Sequence, residues 1–176
     1  MKTILKQATF FLLWVLFFIP FQTACAQDKC AARPVAVQGN SLTPMVPDGS
    51  SVMMKPLSCA GKILRGDLVI FRTGACNQPV IKIVKALPGD RFAVKNGYIS
   101  VNDGKLTTST GEDFRLAESR ARMLALYEKR FNGVIPPDSY LVLGDNPSGA
   151  LDSTRIGLVH RSDIIMVGNT DKSNNP

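Results

Sequence analysis

From Val35 onward, short apolar runs are separated by Gly, Pro and Asp residues, and this pattern limits the possible folds more than any other feature of the sequence. Short runs rich in β-branched and aromatic residues, bounded by turn residues, are typical of strands. The predicted strands are residues 51–54, 68–71, 80–84, 91–94, 98–101 and 140–143, with further strands near Leu158 and over 164–167. Many short strands at close spacing predict a mainly β sandwich or barrel.

One segment has a different periodicity. From about residue 112 to residue 131, apolar side chains recur at steps of three and four residues, which is typical of an amphipathic helix. Thr110 is placed to cap the start of this helix, and Gly133 is placed to end it. The sequence therefore predicts a single helical insert within the β domain.

The N-terminus resembles an export signal. Lys2 and Lys6 precede an almost wholly apolar run over residues 8–21, which the small-residue sequence Ala24-Cys25-Ala26 follows. We expect residues 1–26 to form a hydrophobic helix that is cleaved after Ala26, retained as a membrane anchor, or lipidated at Cys25. Residues 27–36 are predicted to be a linker, 37–170 the folded domain, and 171–176 a disordered tail.

Charge and residue counts indicate the surroundings of this domain. Twenty-one Lys and Arg against 14 Asp and Glu give a net charge of +7, which favours an anionic surface such as membrane lipid. No nucleic-acid-binding motif accompanies the basic residues, so no nucleic-acid partner is expected. A single histidine and the lack of a CxxC pair argue against a zinc site, and no metal or cofactor is expected.

Four cysteines, Cys25, Cys30, Cys59 and Cys76, are consistent with an oxidising compartment outside the cytoplasm. Cys59 and Cys76 flank a predicted strand, and we expect these two to form a disulfide. Spacing alone does not establish the connectivity.

Candidate catalytic groups are few. His160 has no nucleophile elbow to pair with, so we expect it to be a surface histidine. Lys82 lies at the centre of the apolar run VIKIV, where desolvation would lower the pKa of its amine towards neutrality and let it act as a base. Ser41 lies in VQGNSLTP, where Gly39 permits close backbone approach and Pro44 stiffens the turn.

These segments resemble the type I signal peptidases, serine peptidase family S26. VQGNSLTP at 37–44 is similar to their nucleophile box, and RGDLVIF at 65–71 is similar to their RGDIVVF strand. IKIVKALPGD at 81–90 resembles IKRVVGLPGD, and PPDSYLVLGDN at 136–146 resembles PPGxYFVLGDN, with a following Asp152-Ser153. The boxes occur in family order, so a signal-peptidase-like fold is expected.

The resemblance implies a role for each matching residue. Ser41 would attack the scissile carbonyl, Lys82 would be the general base, and the Ser41 N–H would help to form the oxyanion hole. Further residues would support the oxyanion hole or the site: Gly39, Asn40, Asp145, Ser148, Asp152 and Ser153.

The chain also departs from the family pattern. Ala150 stands where many members have a serine that bonds the lysine, and Ser148 or Ser153 is a possible substitute. Thr154 stands where an arginine usually follows, with Arg155 displaced by one position, which leaves the usual Asp–Arg pair in question. These differences favour a specialised member, such as the peptidases encoded with conjugative pilus systems.

The expected function is a membrane-associated serine endopeptidase on the periplasmic side of the inner membrane. It would cleave signal peptides or pilin precursors after small-x-small sites. One alternative is a catalytically silent scaffold in pilus or secretion assembly, which Ala150 and Thr154 motivate. A self-cleaving repressor of related fold is a weaker alternative, because an export signal occupies the place of the DNA-binding domain.

Overall fold

This computed structural model describes residues 29–148 and 151–169, in which ten strands form two antiparallel sheets. The larger sheet has the strand order β1-β2-β10-β3-β4-β8-β9, and the smaller one has the order β5-β6-β7. The strands are β1 (Arg33–Ala36), β2 (Ser51–Pro56), β3 (Leu68–Thr73), β4 (Cys76–Ala86), β5 (Phe92–Lys95), β6 (Tyr98–Val101), β7 (Gly104–Lys105), β8 (Ser139–Leu143), β9 (Val159–His160) and β10 (Ile164–Gly168). The mainly β prediction is confirmed.

The centre of the large sheet is buried on both faces. In β3, Leu68 and Ile70 pack in one apolar cluster with Leu42, whereas Val69 and Phe71 pack in another with Val142. Successive residues of a strand point to opposite faces, so a continuous apolar run can supply two cores at once. β4 pairs with β3 along most of its length and shares this doubly covered position.

The helical insert is shorter than predicted. Helix α1 spans Glu118–Arg130, so it begins about six residues later than the periodicity suggests. Phe114 and Leu116 are buried, but in extended chain: the Phe114 N–H donates to the carbonyl of Leu106, and the Leu116 N–H donates to that of Gly97. These bonds to the small sheet compete with helix formation, and Ala117 stands at the N-cap position in place of Thr110. A second helix, α2 (Ser153–Ile156), is a single turn.

The N-terminal boundary also needs correction. The last four residues of the predicted linker form β1, which pairs with β2 in the register Arg33↔Met54. The hydrophobic helix expected over 1–26 and the tail over 171–176 lie outside the described residues. Within the described residues, no helix is long and apolar enough to cross a bilayer.

The predicted Cys59–Cys76 disulfide is wrong. Cys59 instead bonds to Cys30, with Cα atoms 5.4 Å apart, and Cys76 is a free thiol. The pairing of β1 with β2 is antiparallel, which brings the residues before β1 close to those after β2. Cys76 lies opposite Thr73 in the tight β3–β4 hairpin, and strands β10 and β3 separate it from β2 in the strand order.

We predict that Cys59→Ser lowers the free energy of unfolding by about 3 kcal/mol, because the disulfide closes a loop with a sequence separation of 29 residues. Urea unfolding with and without reductant measures this loss, and reductant should have no further effect on the variant. Cys76→Ser is the matched control and should change stability by roughly 0.5 kcal/mol or less. A large loss from Cys76→Ser with none from Cys59→Ser would contradict the observed pairing.

Candidate active site

Ser41 is presented by a short 3-10 helix, Asn40–Leu42, whose last side chain is fully buried. Leu42 anchors this turn in the same apolar cluster as β2 and β3. Gly39 precedes the turn with φ +86°, a backbone conformation that is costly for residues with a Cβ, and its N–H donates to Asp48 Oδ1 at 2.8 Å. The turn therefore holds Ser41 half-buried, between the buried Leu42 and Gly39.

Lys82 lies in β4 opposite Val69 and is only 3% exposed. Its Nζ hydrogen-bonds Ser41 Oγ at 2.8 Å and the carbonyl of Ile81 at 2.7 Å. Burial lowers the pKa of Lys82 to about 8, while the negative charge of Asp152 and a smaller effect from Cys76 oppose this shift. A lysine with this pKa is partly neutral near pH 7, and only the neutral amine can accept a proton.

The contacts of Lys82 also show which groups orient it. Ser153 Oγ accepts from the N–H of Val142, and Ser148 is exposed, with its N–H bonded to Asn146. In the described part of the chain, the carbonyl of Ile81 is therefore the second partner of the amine, in addition to Ser41. Ala150 lies outside the described residues.

The loop after β8 fixes the backbone at the serine. The N–H groups of Asp145 and Asn146 both donate to the carbonyl of Ser41, at 2.8 and 3.1 Å. The Asp145 carboxylate is itself buried and accepts from the backbone N–H and the hydroxyl of Ser109. Sequence reasoning did not find Ser109, because an isolated serine in a polar turn carries no pattern of its own.

Asp152 forms an ion pair with an arginine from an unexpected element. Arg120 of α1 places Nη2 3.1 Å from both oxygens of Asp152 and donates from Nε to Thr154 Oγ1 at 2.7 Å. Arg155, the displaced arginine of the sequence pattern, is exposed. An Asp–Arg pair is therefore present, but the helical insert supplies the arginine and Thr154 occupies the vacated position.

A groove of about 630 Å³ contains both Ser41 and Lys82. One side of it is formed by β1 and β10 and another by the first half of β4. β4 pairs with β8 only from Ile83 to Ala86, so residues 76–82 have no partner strand on that side among the described elements. The apolar residues that line the groove are Val35, Ala36, Ile70, Pro79, Val80, Ile81, Ile165 and Met166.

His160 takes no part in this arrangement. It is exposed, and its Nδ1 lies 2.8 Å from Ser162 Oγ, so the prediction of a surface histidine is confirmed. The described residues contain no cluster of His, Cys, Asp or Glu suited to a metal ion. The titratable group in contact with Ser41 is Lys82.

Comparison with known proteins gives a consistent result. The family described as "Signal peptidase, peptidase S26" matches residues 8–171. Signal peptidase IB of Staphylococcus aureus (strain Mu50) is 28% identical over 163 residues, which cover 86% of this chain and 84% of that protein. Signal peptidase I of Bacillus caldolyticus is 30% identical over 133 residues, which cover 73% of this chain and 72% of that protein.

A solved structure of a signal peptidase I from Enterococcus faecalis V583 is also similar, with 22% identity and a TM-score of 0.42. The match covers 58% of this chain and 93% of that one. The sequence relationships define the class of protein as a serine endopeptidase. Within that class, the chain belongs to the signal peptidase family, peptidase S26.

We predict that Gly39→Ala lowers the free energy of unfolding by about 1–2 kcal/mol, because an alanine at φ +86° is strained. The loss would come from the backbone alone, since no atom lies within 4 Å of a Cβ built at this position. Gly74→Ala is the control: it also meets no atom within 4 Å, its φ is outside the left-handed range, and we expect little change. Equal losses in urea unfolding would show that φ at Gly39 does not matter.

Proposed function

We propose that Ser41 and Lys82 form the catalytic dyad of a membrane-associated endopeptidase that removes signal peptides or pilin leaders after small-x-small sites. The observation that carries this proposal is the 2.8 Å hydrogen bond between Ser41 Oγ and the buried Lys82 amine, inside an apolar groove. A nucleophile bonded to a base whose pKa is lowered by burial is the arrangement that acyl transfer by a serine requires.

The chemistry follows from this geometry. Neutral Lys82 takes the Ser41 proton as Oγ attacks the scissile carbonyl, and the resulting ammonium passes a proton to the leaving amine. Lys82 then activates water to hydrolyse the acyl-enzyme in the same way. The N–H of Ser41 would donate to the developing oxyanion, and because Gly39 has no side chain, no hydroxyl joins it from that position.

The groove suits an extended peptide. The half of β4 that β8 does not pair lies in the groove beside Ser41, so a substrate strand would add to that edge. The apolar lining of the groove would receive small aliphatic side chains on alternate substrate positions. Backbone pairing of this kind tolerates many sequences, which is what a processing enzyme needs.

The place of action is proposed from the sequence. The apolar residues 8–21, whether retained or cleaved, would direct the domain to the outer face of the inner membrane, and the charge of +7 favours anionic lipid. Thr154 and the helical insert, which distinguish this chain from the common family pattern, favour a dedicated substrate such as a pilin precursor. Membership of a peptidase family favours an enzyme over a silent scaffold.

We predict that Ser41→Ala and Lys82→Ala each reduce cleavage of a precursor in detergent by at least about 1,000-fold, because each removes a member of the dyad. Lys85→Ala is the matched control, because this lysine is in the same strand and burial also lowers its pKa. The Lys85→Ala variant should remain active. N-terminal sequencing of the product, with a general secretory precursor and a pilin precursor in parallel, identifies the site and the preferred substrate. Full activity of either dyad variant would refute the proposal.

We also predict that kcat/KM rises with pH through an apparent pKa near 8 and then levels off. Below that pH Lys82 is protonated and cannot accept the Ser41 proton, whereas above it the amine is neutral. Rates measured with a fluorogenic small-x-small peptide from roughly pH 6 to 10 test this. A rate that falls as pH rises through 8 would be inconsistent with a lysine base.

A further inference from the structure

Arg120 is the most deeply buried cation of the helical insert. It is 6% exposed, although the neighbouring surface of α1 carries exposed Arg122, Lys129 and Arg130. Among the described residues, the polar groups that its side chain contacts lie between the end of β8 and the first residues of α2: both oxygens of Asp152, the hydroxyl of Thr154 and the carbonyl of Pro147. A buried guanidinium that bonds Pro147, Asp152 and Thr154 together fixes the positions of these three residues relative to one another.

The same loop holds the backbone at Ser41. Asp152 Oδ2 accepts from the N–H of Gly144 at 3.3 Å, and the next two N–H groups, of Asp145 and Asn146, donate to the Ser41 carbonyl. Arg120 is thus connected to the serine through Asp152 and the start of the loop. It touches neither Ser41 nor Lys82, and it does not line the groove.

Arg120 also balances the charge that acts on Lys82. Asp152 and Cys76 are the two groups whose charges favour the protonated form of the lysine, whereas Asp145 acts in this sense on Lys85. The positive charge of Arg120 is paired directly with Asp152, at 3.1 Å, and both side chains are buried. Without Arg120, the negative charge of Asp152 would act on Lys82 uncompensated.

We infer that Arg120 is a positioning residue for the Ser41–Lys82 pair: it holds the β8–α2 loop and neutralises Asp152, which makes the helical insert part of the catalytic machinery. This inference rests on the proposed dyad. The insert therefore provides a contact that the sequence pattern assigns to the position after Asp152-Ser153, where this chain has Thr154.

The test compares pH profiles of kcat/KM for variants of the full chain in detergent, with a fluorogenic small-x-small peptide. Arg120→Gln should move the acidic limb upward by roughly one pH unit, so that activity near pH 7 falls about tenfold further than activity on the high-pH plateau, which the loss of the planar fork also lowers. KM should not change, because Arg120 is outside the groove. Arg120→Lys keeps the charge and should leave the limb in place, with a lower kcat because the planar fork is lost.

The double variant Arg120→Gln/Asp152→Asn removes both charges, avoids a buried unpaired ion, and should return the limb to the wild-type position or below it. Arg122→Gln, on the same helix but on exposed surface, is the matched control and should have the wild-type profile. An unmoved limb in folded Arg120→Gln, or an equal loss at every pH, would overturn the inference. Cleavage by Ser41→Ala would instead overturn the proposed dyad, so the two failures are distinguishable.

Discussion

The structure around the active site depends on the burial of one lysine amine. An ammonium group in an apolar interior is strongly disfavoured unless it is paired or loses its proton. Lys82 is 3% exposed and meets this requirement with a hydroxyl, a backbone carbonyl and a lowered pKa. The β3–β4 pair, which is buried on both faces, creates the low-dielectric setting. The other parts of the site determine the position of the Ser41 hydroxyl relative to that amine.

Three distant parts of the chain cooperate to bring the serine there. The turn at Ser41 is anchored by Leu42 from within and by the N–H groups of Asp145 and Asn146 from the loop after β8. That loop in turn is held by Ser109 and by Arg120, both from the region inserted between the small sheet and β8. Residues 106–138, which look peripheral in the sequence, therefore supply two of the contacts that rigidify the site.

Much of the fold was accessible from local patterns. The predicted strand segments are all present, because alternating or continuous apolar runs between turn residues report directly on burial, whereas the short edge strands β1 and β7 were not predicted. The β5–β6 hairpin is also indicated by local sequence. Asn96 and Gly97 at its turn both have positive φ, which a tight type I′ turn demands. The start of α1 was not predictable, since Phe114 and Leu116 fit a helical period equally well as extended chain and only pairing with the small sheet favours the latter. The disulfide partner of Cys59 depended in the same way on the pairing of β1 with β2.

For the site, the resemblance of the segments around Ser41 and Lys82 to the boxes of the signal peptidase family indicated this pair, because each box is a local run of residues that the sequence shows directly. The identity of the groups that hold them was not encoded locally. Arg120 and Ser109 acquire their roles through contacts made only when distant segments pack, and Arg120 lies 32 positions before the carboxylate with which it pairs. Features that depend on neighbouring residues can be predicted from the sequence. Charge compensation and hydrogen bonding in a buried site depend instead on which side chains the folded chain brings into contact.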